Sequence, residues 1–286
     1  MKNQTDMASL MLAAALAMGM TAATTAATLQ EIKDRGEVRI AVANEIPYGY
    51  MDMSGEAKGV GPDVAKHIME QLGITRIKWS TTNFGSLIPG LQANRYDMVA
   101  AEMAILPERC RQVLFSEPDS SYGEGLLVPK GNPQDLNAFE DFAKSDHKVA
   151  IMAGADQLEM LQALGVPANQ MVTIANNADA ISTVATGRAS AYAATSITVN
   201  QLASKSDKVE AAKNFVDPVI DGEPVRSWGA FTFAQGSEDF RDAVNAELAK
   251  FKQTDGWART MNHYGFGIED REESFKKTTA QLCAGD

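Results

Sequence analysis

Residues 95–118 read RYDMVAAEMAILPERCRQVLFSEP, and the fold is read outward from this stretch. Met98, Val99, Ala100 and Ala101 make a short apolar strand, Pro107 marks a turn, and Glu108, Arg109 and Arg111 stand beside Cys110. A guanidinium held just past a strand end is a ready carboxylate clamp, because its planar fork bonds both oxygens at once. In open α/β sheets, ligands sit outside the carboxyl ends of the strands. A lone arginine at a strand end is more often a surface charge, so the rest of the chain decides which this is.

Residues 38–42 read as a buried parallel strand, with the loop 44–50 at its carboxyl end. Pro62 and Asp63 open a helix whose apolar face is Val64, Ala65, Ile68, Met69 and Leu72, and Gly73 stops it. Residues 77–80 form the next strand, Phe84 lies in the loop after it, and the strand before Arg109 is the third. Strands alternating with helices imply a parallel, doubly wound α/β sheet. Residues 124–128 are a further strand, and Lys130, Gly131, Asn132 and Pro133 then break the pattern, which places the first crossing between two lobes there. A second series follows: a strand at 148–151, the turn Ala153, Gly154, Ala155 and Asp156, a helix from Gln157, a strand at 171–174, and a strand leading into Thr195. The chain crosses back near 216–225, residues 229–233 return a strand to the first lobe, and 256–264 is read as the last packed helix. The expected organisation is an export segment over 1–27, a first lobe built from 28–129 and 225–286, and a second lobe over 130–224. Two crossovers with a cleft between them describe a hinged clamshell.

The 286 residues are 45% hydrophobic and carry a formal net charge of −11. That is enough apolar material for one or two packed domains, and the acidity argues against nucleic acid as a partner. Lys2 precedes the apolar run MASLMLAAALAMGM at 7–20, which is shorter than the ~20 residues a spanning helix needs. Thr25, Ala26 and Ala27 offer a cleavage site; no Cys follows the run, so no lipid anchor is expected, and cleavage leaves the net charge at −11. Cys110 and Cys283 are the two cysteines. An exported protein meets an oxidising compartment, so pairing is the expectation; two free thiols are the alternative, since sequence carries no distance. His67, His147 and His263 are scattered without metal-ligand spacing, and no nucleophile or phosphate-loop motif occurs. No metal or cofactor is implied.

The string NRYDMVAAEM…LPERCRQVLFSEP resembles the strand–turn–helix of type II periplasmic solute-binding proteins. VANEIPYGY, TNFGSLIPGLQANRYDM, LPERC and LVPKGNP look, more narrowly, like the ectoine/hydroxyectoine-binding component of an ABC importer. The resemblance runs from about residue 29 to the C-terminus and is densest over 38–133. It implies a two-lobed clamshell free in the periplasm, a monomer that hands a small zwitterion to a membrane permease, and no enzymatic activity. It also implies roles for residues. Arg109 takes the ligand carboxylate. Glu45, with Tyr48 and Phe84, forms the cation side, where aromatic faces contribute ~0.5–2 kcal/mol each. Gly154, Ala155, Asp156 and Thr195 face them from the second lobe, and Trp228, near the second crossover, is a further cleft candidate. The tail TTAQLC also matches in ending on a cysteine.

The sequence departs from that pattern at Glu102, where a small residue is usual, at Ala104, where an aromatic is usual, at Leu106, and at Asp156. Glu102 has two readings, facing the cleft or turned into a salt bridge, and Asp156 is either a ligand contact or a helix N-cap. In α-amino-acid binders of this fold an Asp usually stands where Thr195 falls; Thr195 cannot carry that charge, which argues against an ordinary α-amino acid. The added carboxylates suit a larger or more cationic solute, such as another betaine or a cationic amino acid. A periplasmic dehydratase with Glu102 or Asp156 as general acid is the enzymatic alternative.

Overall fold

The computed structural model describes residues 26–285; all but the last two residues of the expected export segment lie outside the described residues. Helix α1 (Leu29–Arg35) starts on a capping box between Thr28 and Glu31 and stops at Gly36, whose φ is 65°. The first lobe continues with β1 (Val38–Val42), the hairpin β2 (Tyr50–Met51) and β3 (Ala57–Lys58), α2 (Val60–Gln71) and β4 (Ile77–Thr81). A 3-10 turn at Phe84–Ser86 leads into α3 (Leu87–Gln92), then β5 (Met98–Ala104), α4 (Pro107–Cys110), β6 (Leu114–Phe115) and β7 (Ser120–Tyr122).

The second lobe holds β8 (Glu124–Pro129), α5 (Glu140–Ala143), β9 (Val149–Met152), α6 (Gln157–Ala163), β10 (Met171–Ile174), α7 (Ala178–Ala185), β11 (Ala191–Thr195), α8 (Ser196–Ala203) and β12 (Val209–Ala211). The small hairpin β13 (Val219–Ile220) and β14 (Glu223–Pro224) lies on the return path. Strand β15 (Ser227–Phe233) rejoins the first lobe, followed by α9 (Glu238–Phe251), α10 (Asp255–His263), α11 (Ile268–Glu273) and α12 (Thr279–Ala284). The last two helices are only six residues each, too short for the apolar period that marks α10 to show.

The first sheet runs β4-β1-β5-β15-β6, with β7 also on β15; the second runs β10-β9-β11-β8-β12. Strand β1 is parallel to both β4 and β5, while β15 is antiparallel to β5. Both sheets are therefore mixed rather than wholly parallel, because the strands nearest the crossings, β8 and β15, run back against their neighbours. Strand β8 belongs to the second sheet, where it pairs β11 and β12. The first crossing thus falls at Gly123, between β7 and β8, and not at residues 130–133. The turn at Lys130 marks where β8 ends, not which sheet it joins.

Ile40, Val64, Ile68, Phe231, Phe233, Phe240, Val244 and Leu248 are buried between the first sheet and α2 and α9. Each fully buried large apolar side chain contributes about 1.5–3 kcal/mol. Leu126, Val128, Phe139, Phe142, Val149 and Ile151 do the same in the second lobe. A third cluster joins Phe84, Leu87 and Met103 of the first lobe to Met152, Ala155 and Tyr192 of the second, so the lobes pack directly on one another. The neighbours of β1 lie on either side of it, and the loops after β1 and β5 therefore open at a switch point of the first sheet.

Candidate ligand-binding cleft

Strand β5 runs to Ala104, three residues past the apolar run that marks it in sequence. Pro107 then sits in the first turn of α4, where its missing N–H costs nothing, and the turn carries Arg109 back over the strand end. Arg109 is buried, 7% exposed. Its Nη1 donates to the Ala104 carbonyl at 3.0 Å and its Nη2 to the Gly154 carbonyl of the second lobe at 3.0 Å. The guanidinium lies 5.7 Å from the centre of the Phe84 ring. Phe84, expected at the cation side, therefore has the Arg109 guanidinium over its ring.

Cys110, next in sequence, is bonded to Cys283 of α12 with a Cα–Cα distance of 5.7 Å. The two free thiols allowed by sequence are not what the chain forms. The bridge closes a span of 173 residues and pins the clamp helix to the tail. Cys283→Ser is expected to lower the unfolding free energy by about 2–4 kcal/mol, read as a shifted denaturant midpoint.

Across the cavity, the loop after β1 is closed by paired backbone bonds between Glu45 and Gly49, at 2.9 and 2.8 Å. This holds Glu45 at the lobe boundary, where Oε1 accepts from Asn177 Nδ2 at 2.7 Å and from Thr198 Oγ1 at 3.1 Å, both on the second lobe. Tyr192 in turn donates to Asn177 Oδ1. Burial raises the Glu45 pKa to about 7, the two hydrogen bonds oppose the rise, and the Asp156 charge adds to it. Tyr48 OH meets Thr195 Oγ1 at 2.5 Å, and Thr195 also caps α8 by accepting from Thr198 N at 3.3 Å. These residues tie the lobes together as well as lining the space between them.

Asp156 occupies the N-cap position of α6 but makes no capping bond. Its Oδ2 accepts from Ser227 Oγ at 3.1 Å, which is another link between lobes. Gly154 has φ +82°, and a Cβ there would stand 2.7 Å from Gly85 Cα across the boundary. Gly154→Ala is therefore expected to hold the lobes apart and weaken ligand capture about 10-fold. Calorimetry, with solution scattering for the interlobe opening, checks this.

Glu102 adopts φ 48° inside β5, where the pairing with β15 shifts register between Ala230 and Thr232. Its Oε2 accepts from Ser120 Oγ, and its backbone carbonyl accepts from Tyr122 OH at 2.8 Å. It lines the cleft and enters no salt bridge among the described residues. Ala104 also lines the cleft and offers its carbonyl to Arg109.

Trp228 does not line the cleft; its indole N–H donates to the Glu273 carbonyl at 2.9 Å, on the C-terminal side. Side chains alternate along a strand, and its neighbour Ser227 is the one that reaches Asp156. Tyr122 is a further aromatic lining the cleft, and its ring meets Tyr48 edge-on at 5.5 Å.

The cavity is lined by Glu45, Tyr48, Phe84, Glu102, Ala104, Arg109, Tyr122, Asp156 and Thr195, with Ala101, Met152, Ala155 and Gln157. Gly154 stands just outside, on the neighbouring surface recess with Gly85. Tyr122, Gln157, Asn177, Tyr192 and Thr198 were not legible as site residues. Each is an ordinary polar side chain in a strand, a helix or, for Asn177, the turn before α7, and its partner lies well away in sequence. Gln157 Nε2 donates to buried Glu124 at 2.7 Å, and burial together with Asp156 raises the Glu124 pKa well above the usual carboxylate range.

The model for bacterial extracellular solute-binding proteins, family 3, matches residues 38–268. A probable amino-acid ABC transporter periplasmic-binding protein of Sinorhizobium fredii is 56% identical over 275 residues, covering 95% of this chain and 91% of that protein. Among solved structures, EhuB in complex with hydroxyectoine superposes with a TM-score of 0.82 at 30% identity, covering 92% of this chain and all of that one (100%). An ancestral amino acid-binding protein, a precursor of cyclohexadienyl dehydratase, superposes with a TM-score of 0.73 at 28% identity over 84% of this chain and 100% of that one. The α/β clamshell, the clamp turn and the matched span agree, and the chain belongs to the bacterial extracellular solute-binding proteins, family 3.

Proposed function

We propose that this protein is the periplasmic capture component of an ABC importer, taking up an amino-acid-derived zwitterion of the ectoine or hydroxyectoine type. The solute's carboxylate lies on Arg109 and its cationic nitrogen group faces Glu45. One observation carries this reading: Arg109 is the cation among the described residues lining the cavity, and it shares that cavity with Glu45, Glu102 and Asp156. A guanidinium has more donors than the two carbonyls of Ala104 and Gly154 use. The rest of the fork suits a carboxylate, at about 1.5–3 kcal/mol for a charge-assisted bond. Tyr48, Phe84 and Tyr122 supply apolar faces, and Thr195 supplies no counter-charge for an α-ammonium group. The likeness to the hydroxyectoine-binding EhuB supports the same class.

The acidic excess favours a second solute class, a betaine or amino acid with more positive charge. The enzymatic alternative has less support, since the Sinorhizobium fredii relative is a periplasmic-binding protein by name. Thermal melts against a panel separate these readings, because a ligand that binds only the folded state raises Tm with its concentration. Ectoine and hydroxyectoine are expected to raise Tm and to be recovered unchanged. A response to L-arginine or glycine betaine alone would move the assignment to the second class.

A further inference from the structure

Behind the wall of the cleft that holds Glu102 lies a second carboxyl, Asp119, at the head of β7. Glu102 is 3% exposed and Asp119 is 1% exposed. Asp119 directly precedes Ser120, whose hydroxyl meets the Glu102 carboxyl, so the two buried carboxyls share one site. Ser120 Oγ donates to Glu102 Oε2, but no donor from the described residues reaches Glu102 Oε1 or either oxygen of Asp119. Room for the Glu102 carboxyl comes from two glycines. A Cβ at Gly61 would stand 3.2 Å from Oε1, and one at Gly229 would stand 3.0 Å from Oε2. Carboxylates only accept, so a contact between two of them is a hydrogen bond only when one carries a proton.

We propose that Glu102 and Asp119 share one proton in the ligand-free protein, and that the arrival of the solute's cationic group beside Glu102 expels this proton to solvent. Capture is then coupled to proton release, and Glu102 acts as a second point of cation recognition beside Glu45. The inference rests on the zwitterion reading of the cleft given above.

The groups that face the pair are few. Lys252, the C-cap residue of α9, lies on the far side, its Nζ donating to the carbonyls of Pro118 at 2.6 Å and Ser274 at 2.9 Å, with Glu117 near it. Tyr48 and Tyr122 face Glu102 from the cleft side. Helix α2 and strand β15 present Gly61 and Gly229 at the carboxyl. Burial, followed by the Asp119 charge, pushes the Glu102 pKa well up; burial raises Asp119 as well, and Lys252 opposes both. A like-charged pair out of water keeps one proton at neutral pH, and a cation placed beside it favours the doubly ionised form.

Two readouts test this on the mature protein. The first is the infrared spectrum of the ligand-free protein at pH 7, in H2O and D2O. The protonated-carboxyl band is expected to lose one deuterium-sensitive component in Glu102→Gln, and Asp119→Asn is the second variant should the first not fold. The second readout is calorimetry with ectoine and with L-arginine in two buffers of different ionisation enthalpy. The wild type is expected to release about one more proton per ligand than Glu102→Gln, and to bind more weakly as pH falls. An unchanged carboxyl band in both variants overturns the shared proton. A lost component with equal proton release in wild type and variant overturns the coupling. No binding of either compound overturns the zwitterion reading itself and the coupling with it, and the infrared result still decides the pair.

Discussion

Arg109→Ala is expected to weaken solute capture by about 100- to 1000-fold, the largest effect of any substitution in the cleft. Two losses combine. The solute's carboxylate loses its charge-assisted partner, and the closed form loses the bond from Nη2 to the Gly154 carbonyl. The Ala104 and Gly154 carbonyls are then left facing the cavity without their donor. Arg109→Lys keeps the charge but not the planar fork, and cannot serve both lobes and a carboxylate together. It is expected to recover only part of the affinity. Calorimetry on both variants measures this, and unchanged affinity in Arg109→Ala would remove the clamp from the account.

The second large effect is expected at Glu45, and it depends on pH. Glu45 lies at the boundary between the lobes, and opening the clamshell returns it to water and to an ordinary carboxylate pKa. In the ligand-free closed form its pKa is raised to about 7 by burial. A carboxyl whose pKa rises on closure favours the closed form fully below about pH 4.5, and the advantage is lost as pH rises through about 7. The span corresponds to roughly 3 kcal/mol. Solution scattering is expected to show the ligand-free protein compact at low pH and more open at pH 8. Glu45→Gln preserves the acceptor for Asn177 and Thr198 and removes the charge, so it is expected to flatten this profile. The same variant is expected to bind a cationic zwitterion about 10- to 100-fold more weakly at pH 8, where wild-type Glu45 is ionised. A profile identical to the wild type would show that closure is set elsewhere.

Local chemistry made the position of Arg109 readable. A strand, a proline and an arginine within a dozen residues specify their own geometry, so Arg109 appears where its sequence places it. Glu45 and Tyr48 follow β1 for the same reason. What escaped the sequence depends on long-range pairing or on strand parity. Residues 124–129 look like any apolar strand, and only their hydrogen bonds to β11 and β12 assign them to the second lobe. Trp228 and Ser227 differ by one position, and which of them reaches Asp156 follows from the register of β15 on β5 and β7. The left-handed φ of Glu102 carries no signal in a residue of that type. Asn177 and Thr198 are 132 and 153 residues from the Glu45 they bond. The departures at Glu102 and Ala104 were visible, but their meaning was not. Tyr122, on another strand, adds an aromatic to the same cavity, and the Glu102 carboxyl accepts from Ser120 Oγ beside it.

The most direct measurement is isothermal titration of the mature protein, refolded to strip carried-over solute, with ectoine and hydroxyectoine in parallel on wild type and Arg109→Ala. Binding at about micromolar affinity or tighter in the wild type, lost in the variant, is the predicted result. Binding that survives in Arg109→Ala, or no binding of either zwitterion by the wild type, would contradict it.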